Sequence, residues 1–301
     1  MPGAPLLQSD AVAYVLFLFT ALTWSASFIL MKKAAAAFGP VSIGAGRVIG
    51  GALALAALCA LSGWWRPRGA QWAWLALIVV IGFAAPYCVQ PYLVVPYGSG
   101  FIGMLVGFVP LLTIAVSVPL LGVWPTTRQV LGVVGGLVCL VAVLGDGVVR
   151  AIPPAHLALA VTVPVGYAIA NTLIKRCFPD APALPLTTWC LAATALVLTP
   201  IGAAREPIRV DERLPMALAA VAALGVVGTG LCGYAFYRMI KERGPLFAGM
   251  VSYLIPIGAV VIGWIDGEAV TGIQVAALIG VILMVAVAQA PGRAPLADQS
   301  T

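Results

Sequence analysis

The side chains of this chain that are equipped to hold a small solute recur at helical spacing. Trp24 and Ser27 stand three residues apart, Tyr87 and Gln90 repeat that spacing, and Tyr167 and Asn171 stand four apart. Tyr234 and Tyr237 are again three apart, and Tyr253 lies one turn before Pro256. On a helix each such set shares a face. Aromatic rings offer flat apolar contact with a polar edge, while amides and hydroxyls fix orientation, so the chemistry on offer is binding and not bond making. Trp and Tyr near the end of an apolar span also act as interfacial anchors, which leaves two readings for each ring. The amides of Gln90 and Asn171 are more telling, because an amide in hydrocarbon needs a partner. The set as a whole describes an apolar, aromatic cavity with few amides. It suits a neutral or zwitterionic organic solute better than an inorganic ion.

Residues for catalysis are scarce. There is one histidine, His156, just behind an Ile-Pro-Pro stretch, too few for a His-based metal or nucleophile site; a surface or capping role is expected for it. No GxxxxGK[ST] loop occurs, which removes the simplest case for ATP hydrolysis, and no pair of acidic motifs offers a magnesium site. The expectation is no enzyme, no cofactor and no bound metal. The six cysteines, Cys59, Cys88, Cys139, Cys177, Cys190 and Cys232, are scattered in apolar stretches without a close pair and read as small core residues. Arg47, in "IGAGRVIGG", is the clearest charge inside an apolar span. At a helix centre it would cost about 2.5–3.5 kcal/mol on insertion scales, so it either snorkels at the membrane edge, the structural role, or faces a wet cavity. Asp146, Asp266 and Glu268 fall at span ends, so a carboxylate proton relay is not evident.

The elements that must position these residues are set by solvent. Of 301 residues, 62% are hydrophobic and 9% charged, with mean hydropathy +1.08, against about 25% charged in a soluble domain. Apolar stretches repeatedly reach the roughly 20 residues that a helix needs to cross hydrocarbon, far too long for barrel strands. The sequence predicts ten transmembrane helices, at 11–35, 40–62, 71–95, 99–121, 128–146, 155–177, 184–203, 214–238, 246–265 and 271–289. The longest polar interruption, "AAREPIRVDERLP", is a loop and not a domain. The opening "MPGAPLLQSD" lacks a positive n-region, so the first helix is expected to stay. The net charge of +6 sits in short loops and reads as a topology signal, not as nucleic-acid binding. Nine basic residues against six favour both termini in the cytoplasm, and the simplest host is a bacterial cell membrane.

The chain also repeats itself. "GSGFIGMLVGFVP" from Gly98 and "GPLFAGMVSYLIP" from Gly244 share Gly98/Gly244, Phe101/Phe247, Gly103/Gly249, Met104/Met250 and Pro110/Pro256. "WSASFILMKK" from Trp24 pairs with "YAIANTLIKR" from Tyr167, and "GLVCLVAV" from Gly136 with "GVILMVAV" from Gly280. The offsets are 146, 143 and 144 residues, so one duplication explains all three. The halves are 11–146 and 155–289, five helices each, with short termini at 1–10 and 290–301. An odd number of crossings makes the halves inverted repeats, an arrangement common in secondary transporters. Pro110 and Pro256 are expected to kink matched helices, and Gly103 and Gly249 to let them approach closely, as the Gly103/Gly107 and Gly132/Gly136 spacings do within single helices. These four are the candidate gating residues.

"TWSASFILMKKAAAAFGPVSIGAGRVIGGALA", "GSGFIGMLVGFVPLLTIAVSVPLL" and "GPLFAGMVSYLIPIGAVVIGWIDGEAVTGIQVAALIGVILMVAV" resemble the EamA-type members of the drug/metabolite transporter superfamily over residues 12 to 289. The resemblance implies ten helices in two inverted five-helix repeats, no ATPase, and export or exchange of small metabolites such as amino acids. One departure is visible. The family carries a Gly-Glu pair before the last helix of each repeat, whereas this chain has Gly267-Glu268 in one half and Gly122-Val123 in the other. The expectation is an all-α integral membrane carrier whose partners are a small-molecule substrate and the bilayer; the competing expectation is a membrane scaffold or assembly subunit on the same fold.

Overall fold

The computed structural model describes residues 10–122, 124, 126–144, 152–243, 245–249 and 251–289. Asp146, Val123, Gly244, Met250 and the side chain of Tyr253, all named above, lie outside the described residues, as do Arg150 and Arg293 among the basic residues counted.

In hydrocarbon the backbone must satisfy its own hydrogen bonds, and the described chain does so with helices and no strand. They are α1 (Asp10–Ala34), α2 (Pro40–Ser62), α3 (Gln71–Tyr97), α4 (Ser99–Leu121), α5 (Thr127–Leu144), α6 (Pro154–Cys177), α7 (Ala183–Arg205), α8 (Leu214–Arg243), α9 (Pro245–Gly249 and Val251–Ile265) and α10 (Gly272–Gln289). Eight of them, α1 to α4 and α6 to α9, are long and apolar enough to cross a membrane. Proline and glycine set the ends. Pro40 and Pro154 open α2 and α6 at first-turn positions, where a missing N–H costs nothing. Gly98 alone separates α3 from α4 at φ 85°, a conformation that favours glycine.

The contacts between the halves exchange when the halves are swapped. α2 packs against α7, α5 against α10 and α4 against α9, each helix meeting its repeat equivalent. The unlike pairs come in twos: α1 lies on α9 and α6 on α4, while α8 lies on α1 and α3 on α6. One continuous core runs through Met31, Ile43, Leu93, Leu173, Leu191, Leu224 and Ile255, joining both halves.

Two features depart from a plain reading of apolar spans. α3 and α8, again repeat equivalents, each contain a π-helical stretch, at Val80–Ala84 and Leu224–Leu231. The wider turn loosens the backbone locally and often marks a functional site. α4 does not bend at Pro110 but breaks before it: the helix stops at Val106 and restarts at Val109, with Pro110 in the new first turn. That is the economical outcome, since proline has no N–H to offer the turn before it. Pro256, by contrast, sits inside the helix Val251–Ile265.

Candidate functional site

The π-helical stretches bring small residues and free backbone to the middle of the bundle. Gly166 of α6 comes so close to the carbonyl of Ile81 that a Cβ could not be fitted, and Gly50 and Gly51 of α2 meet Gly225 and Gly230 of α8 backbone to backbone. Between these tight seams lies a cavity with about 800 Å3 of empty space, its open mouth included. Both halves line it.

The structure places seven of the nine sequence-selected residues on this cavity: Trp24, Ser27, Tyr87, Gln90, Tyr167, Asn171 and Tyr237. Trp24 Nε1 donates to the carbonyl of Gly228 at 2.7 Å, and Tyr167 Oη donates to Gln90 Oε1 at 3.2 Å. Trp24 and Tyr167 are repeat equivalents, and so are the helices they reach, α8 and α3. A tie between equivalent helices is therefore made from each half, one to a backbone carbonyl and one to a side-chain amide. Ser27 instead bonds back to the Thr23 carbonyl at 3.0 Å. The side chain of Asn171 makes no hydrogen bond to another described residue, which leaves its amide for an occupant. The walls are aromatic: Trp24 stacks tilted on Phe236 at 4.9 Å between centroids, and Phe83 stands edge-on to Tyr87 and Tyr237 at 5.7 and 6.3 Å.

Tyr234 does not line the cavity. It packs half-buried against the core instead, although its three-residue spacing from Tyr237 is the one at which Trp24 with Ser27 and Tyr87 with Gln90 share the cavity. His156, expected at a surface or cap, joins helices: Tyr97 Oη lies 2.6 Å from its Nδ1 and holds the end of α3 to the start of α6.

Arg47 was not among the selected residues; of the two places left open for it, the membrane edge and a cavity, it takes the cavity. It is 4% exposed and faces the cavity. Its Nε donates to Thr229 Oγ1 at 2.9 Å, Nη1 approaches Met31 Sδ at 3.6 Å, and the guanidinium carbon stands 4.1 Å over the Tyr87 ring. The π-helical stretch of α8 is what carries Thr229 to that position. The signal was present in the sequence as a charge in an apolar span; its direction was not.

The expected gating residues meet in a crossed pair. Pro110 packs against Gly249, Pro256 against Gly107, and Gly103 against Ala259 and Phe28, so α4 and α9 touch through proline and small residues. At one end of the bundle these helices are latched by charge. Lys32, at the end of α1, reaches Asp266 Oδ2 at 2.6 Å and Glu268 Oε1 at 3.1 Å. Glu268 also accepts from Ser99 N at 2.9 Å, Ser99 Oγ at 3.0 Å and Gly100 N at 3.1 Å, capping the start of α4. Burial opposes its charge, but these backbone donors and the Lys32 ammonium outweigh it and hold the carboxyl below its ordinary range. The repeat-equivalent end is lighter: Arg176 Nη1 donates to the Leu120 carbonyl at 2.8 Å. Among the described residues no cluster of three potential metal ligands occurs.

The chain matches the EamA-like transporter family over residues 11–145 and again over 155–288. It is similar to YyaM, an uncharacterized transporter of Bacillus subtilis (strain 168), at 25% identity over 294 residues, covering 94% of this chain and 95% of that one. A solved crystal structure of a protein superposes with a TM-score of 0.70 at 21% identity, covering 93% of this chain and 98% of the other, which shows a shared fold. With both halves matched, the chain belongs to the EamA-like transporter family and is a multi-pass membrane transporter.

Proposed function

We propose that the protein is a secondary carrier that moves small organic metabolites, amino-acid-like or similar, by alternating access of the central cavity. The observation that carries this reading is the cavity itself, enclosed by both halves and bridged by the matched ties of Trp24 and Tyr167. Two halves that can exchange conformations around a shared site would open it to either side in turn. All ten helices cross the bilayer in this reading, five per half, with both termini in the cytoplasm of a cell whose inner or plasma membrane holds the protein. The Lys32 latch closes the far side, and the α4–α9 crossing at Pro110, Gly249, Gly107 and Pro256 is the hinge. Outward transport is supported by the family resemblance.

The test is efflux from proteoliposomes loaded with labelled amino acids and small metabolites, with an Asn171→Ala, Tyr167→Ala double variant beside the wild type. Selective efflux reduced at least tenfold in the folded double variant is the expected result. No movement of any solute, with or without an ion gradient, would replace the carrier with a scaffold.

A further inference from the structure

The cavity holds a buried cation, and among the described residues nothing negative faces it. Of the five N–H groups of a guanidinium, those of Arg47 find one strong acceptor, Thr229 Oγ1, and one weak one, Met31 Sδ. The remaining N–H groups meet no described acceptor, and none of the described acidic side chains forms an ion pair with Arg47. A charge that is 96% out of solvent, by its 4% exposure, is costly unless paired. Tyr87 accounts for one face of the guanidinium only.

The charge is not repeated in the other half. At the offset of 143 that pairs Trp24 with Tyr167, the position equivalent to Arg47 is Cys190, buried in α7. α2 and α7 pack on one another with Arg on one side and a small thiol on the other. A cation required for packing would recur; this one is confined to a single wall of an otherwise matched cavity.

We infer that Arg47 is the anchor for a carboxylate of the solute, and that the preferred substrates are organic monocarboxylates with an apolar or aromatic body and no ammonium group. A planar carboxylate takes two parallel N–H donors of a guanidinium, and the amide of Asn171 is free to add a third contact. The body of the solute meets Phe83, Phe236 and Ile255. An ammonium beside the carboxylate would share the cavity with Arg47 without a described carboxylate to receive it. This rests on the carrier reading above and changes its substrate class from neutral or zwitterionic solutes to anionic ones.

The full chain in detergent would be tested by equilibrium binding with acetate, butyrate, benzoate and 3-phenylpropionate, each against its matching alcohol, with phenylalanine and 2-phenylethylamine as zwitterion and cation. At least one carboxylate should bind ten or more times more tightly than its alcohol, and 3-phenylpropionate more tightly than phenylalanine. Arg47→Gln should abolish that preference, and Arg47→Lys should restore part of it, since an ammonium supplies charge without the fork. The wild-type comparison decides even where the variants do not fold. No carboxylate bound, or alcohols bound equally well, would overturn the inference. Counterflow of the same panel in proteoliposomes separates the two readings: alcohols or zwitterions moving regardless of Arg47→Gln would leave a carrier without a carboxylate anchor. An inert liposome with selective carboxylate binding would leave the anchor and remove the carrier.

Discussion

At the scale of single residues, the unusual pairing is between a charge and a hydroxyl. Thr229 gives Arg47 its one strong hydrogen bond, and both are nearly fully buried. Thr229→Val keeps the shape and removes the acceptor, so it should lower stability by about 1–3 kcal/mol, the usual cost of an orphaned buried donor. Arg47→Met in the same background should recover part of that loss, giving a coupling of about 0.5–3 kcal/mol in a double-mutant cycle of detergent unfolding. Additive single variants would mean that the bond contributes nothing. The residues lining the cavity were legible because helical spacing reports which side chains share a face, and Trp24, Ser27, Tyr87, Gln90, Tyr167, Asn171 and Tyr237 do converge. Arg47 was not legible in that way: an arginine in an apolar span can snorkel or point inward, and only the packing of α2 on α8 decides between them. Spacing does not separate Tyr234 either, since the same three-residue interval puts Trp24 with Ser27 and Tyr87 with Gln90 on the cavity and leaves Tyr234 off it.

At the scale of elements, helix ends are held by carboxylates on one side of the bundle. Glu268 joins the ends of α1 and α9 to the start of α4, and Glu206, just after α7, accepts from Val41 N at 3.1 Å and Ser42 N at 2.7 Å at the start of α2. The sequence marked Gly267-Glu268 as a family feature without showing what it does; the cap is made to a helix of the other half, which no local pattern reveals. Because the folded carboxyl of Glu268 titrates below its ordinary value, its contribution is complete above the ordinary carboxyl range and is lost as pH falls through the lowered value. Wild type should therefore be more resistant to unfolding than Glu268→Gln at neutral pH, and the two should converge in acid. A constant difference down to the acid limit would show that the charge is not what holds α4. The π-helical stretches of α3 and α8 were equally hidden, since composition does not record a change in hydrogen-bond register. The seam they create is testable: Gly51→Leu places a side chain against Gly230 N and the Gly225 carbonyl and should cost about 1–3 kcal/mol by overpacking, read as a lower unfolding midpoint.

At the scale of the whole molecule, the repeat offsets near 144 residues mark duplicated halves, and in the fold these halves bring like helix against like. The structure realises this in the contacts of α2 with α7, α4 with α9 and α5 with α10. What the offsets imply beyond contact is orientation. If each half crosses the membrane five times, equivalent positions lie on opposite faces, and the Lys32 latch and the Arg176 contact guard opposite mouths. Lys33 and Lys175 close α1 and α6 and are both exposed, so a cysteine at either site reports its side of the membrane. With the six native cysteines replaced by alanine, Lys33→Cys and Lys175→Cys would be treated in turn with a membrane-impermeant maleimide on sealed vesicles of known orientation. The expected pattern is labelling of one variant in right-side-out vesicles and of the other in inverted ones, with Lys33→Cys reacting from outside. Labelling of both from the same face would require an even number of crossings between the two sites, and the two halves would then have to work as a parallel pair without the exchange that alternating access uses.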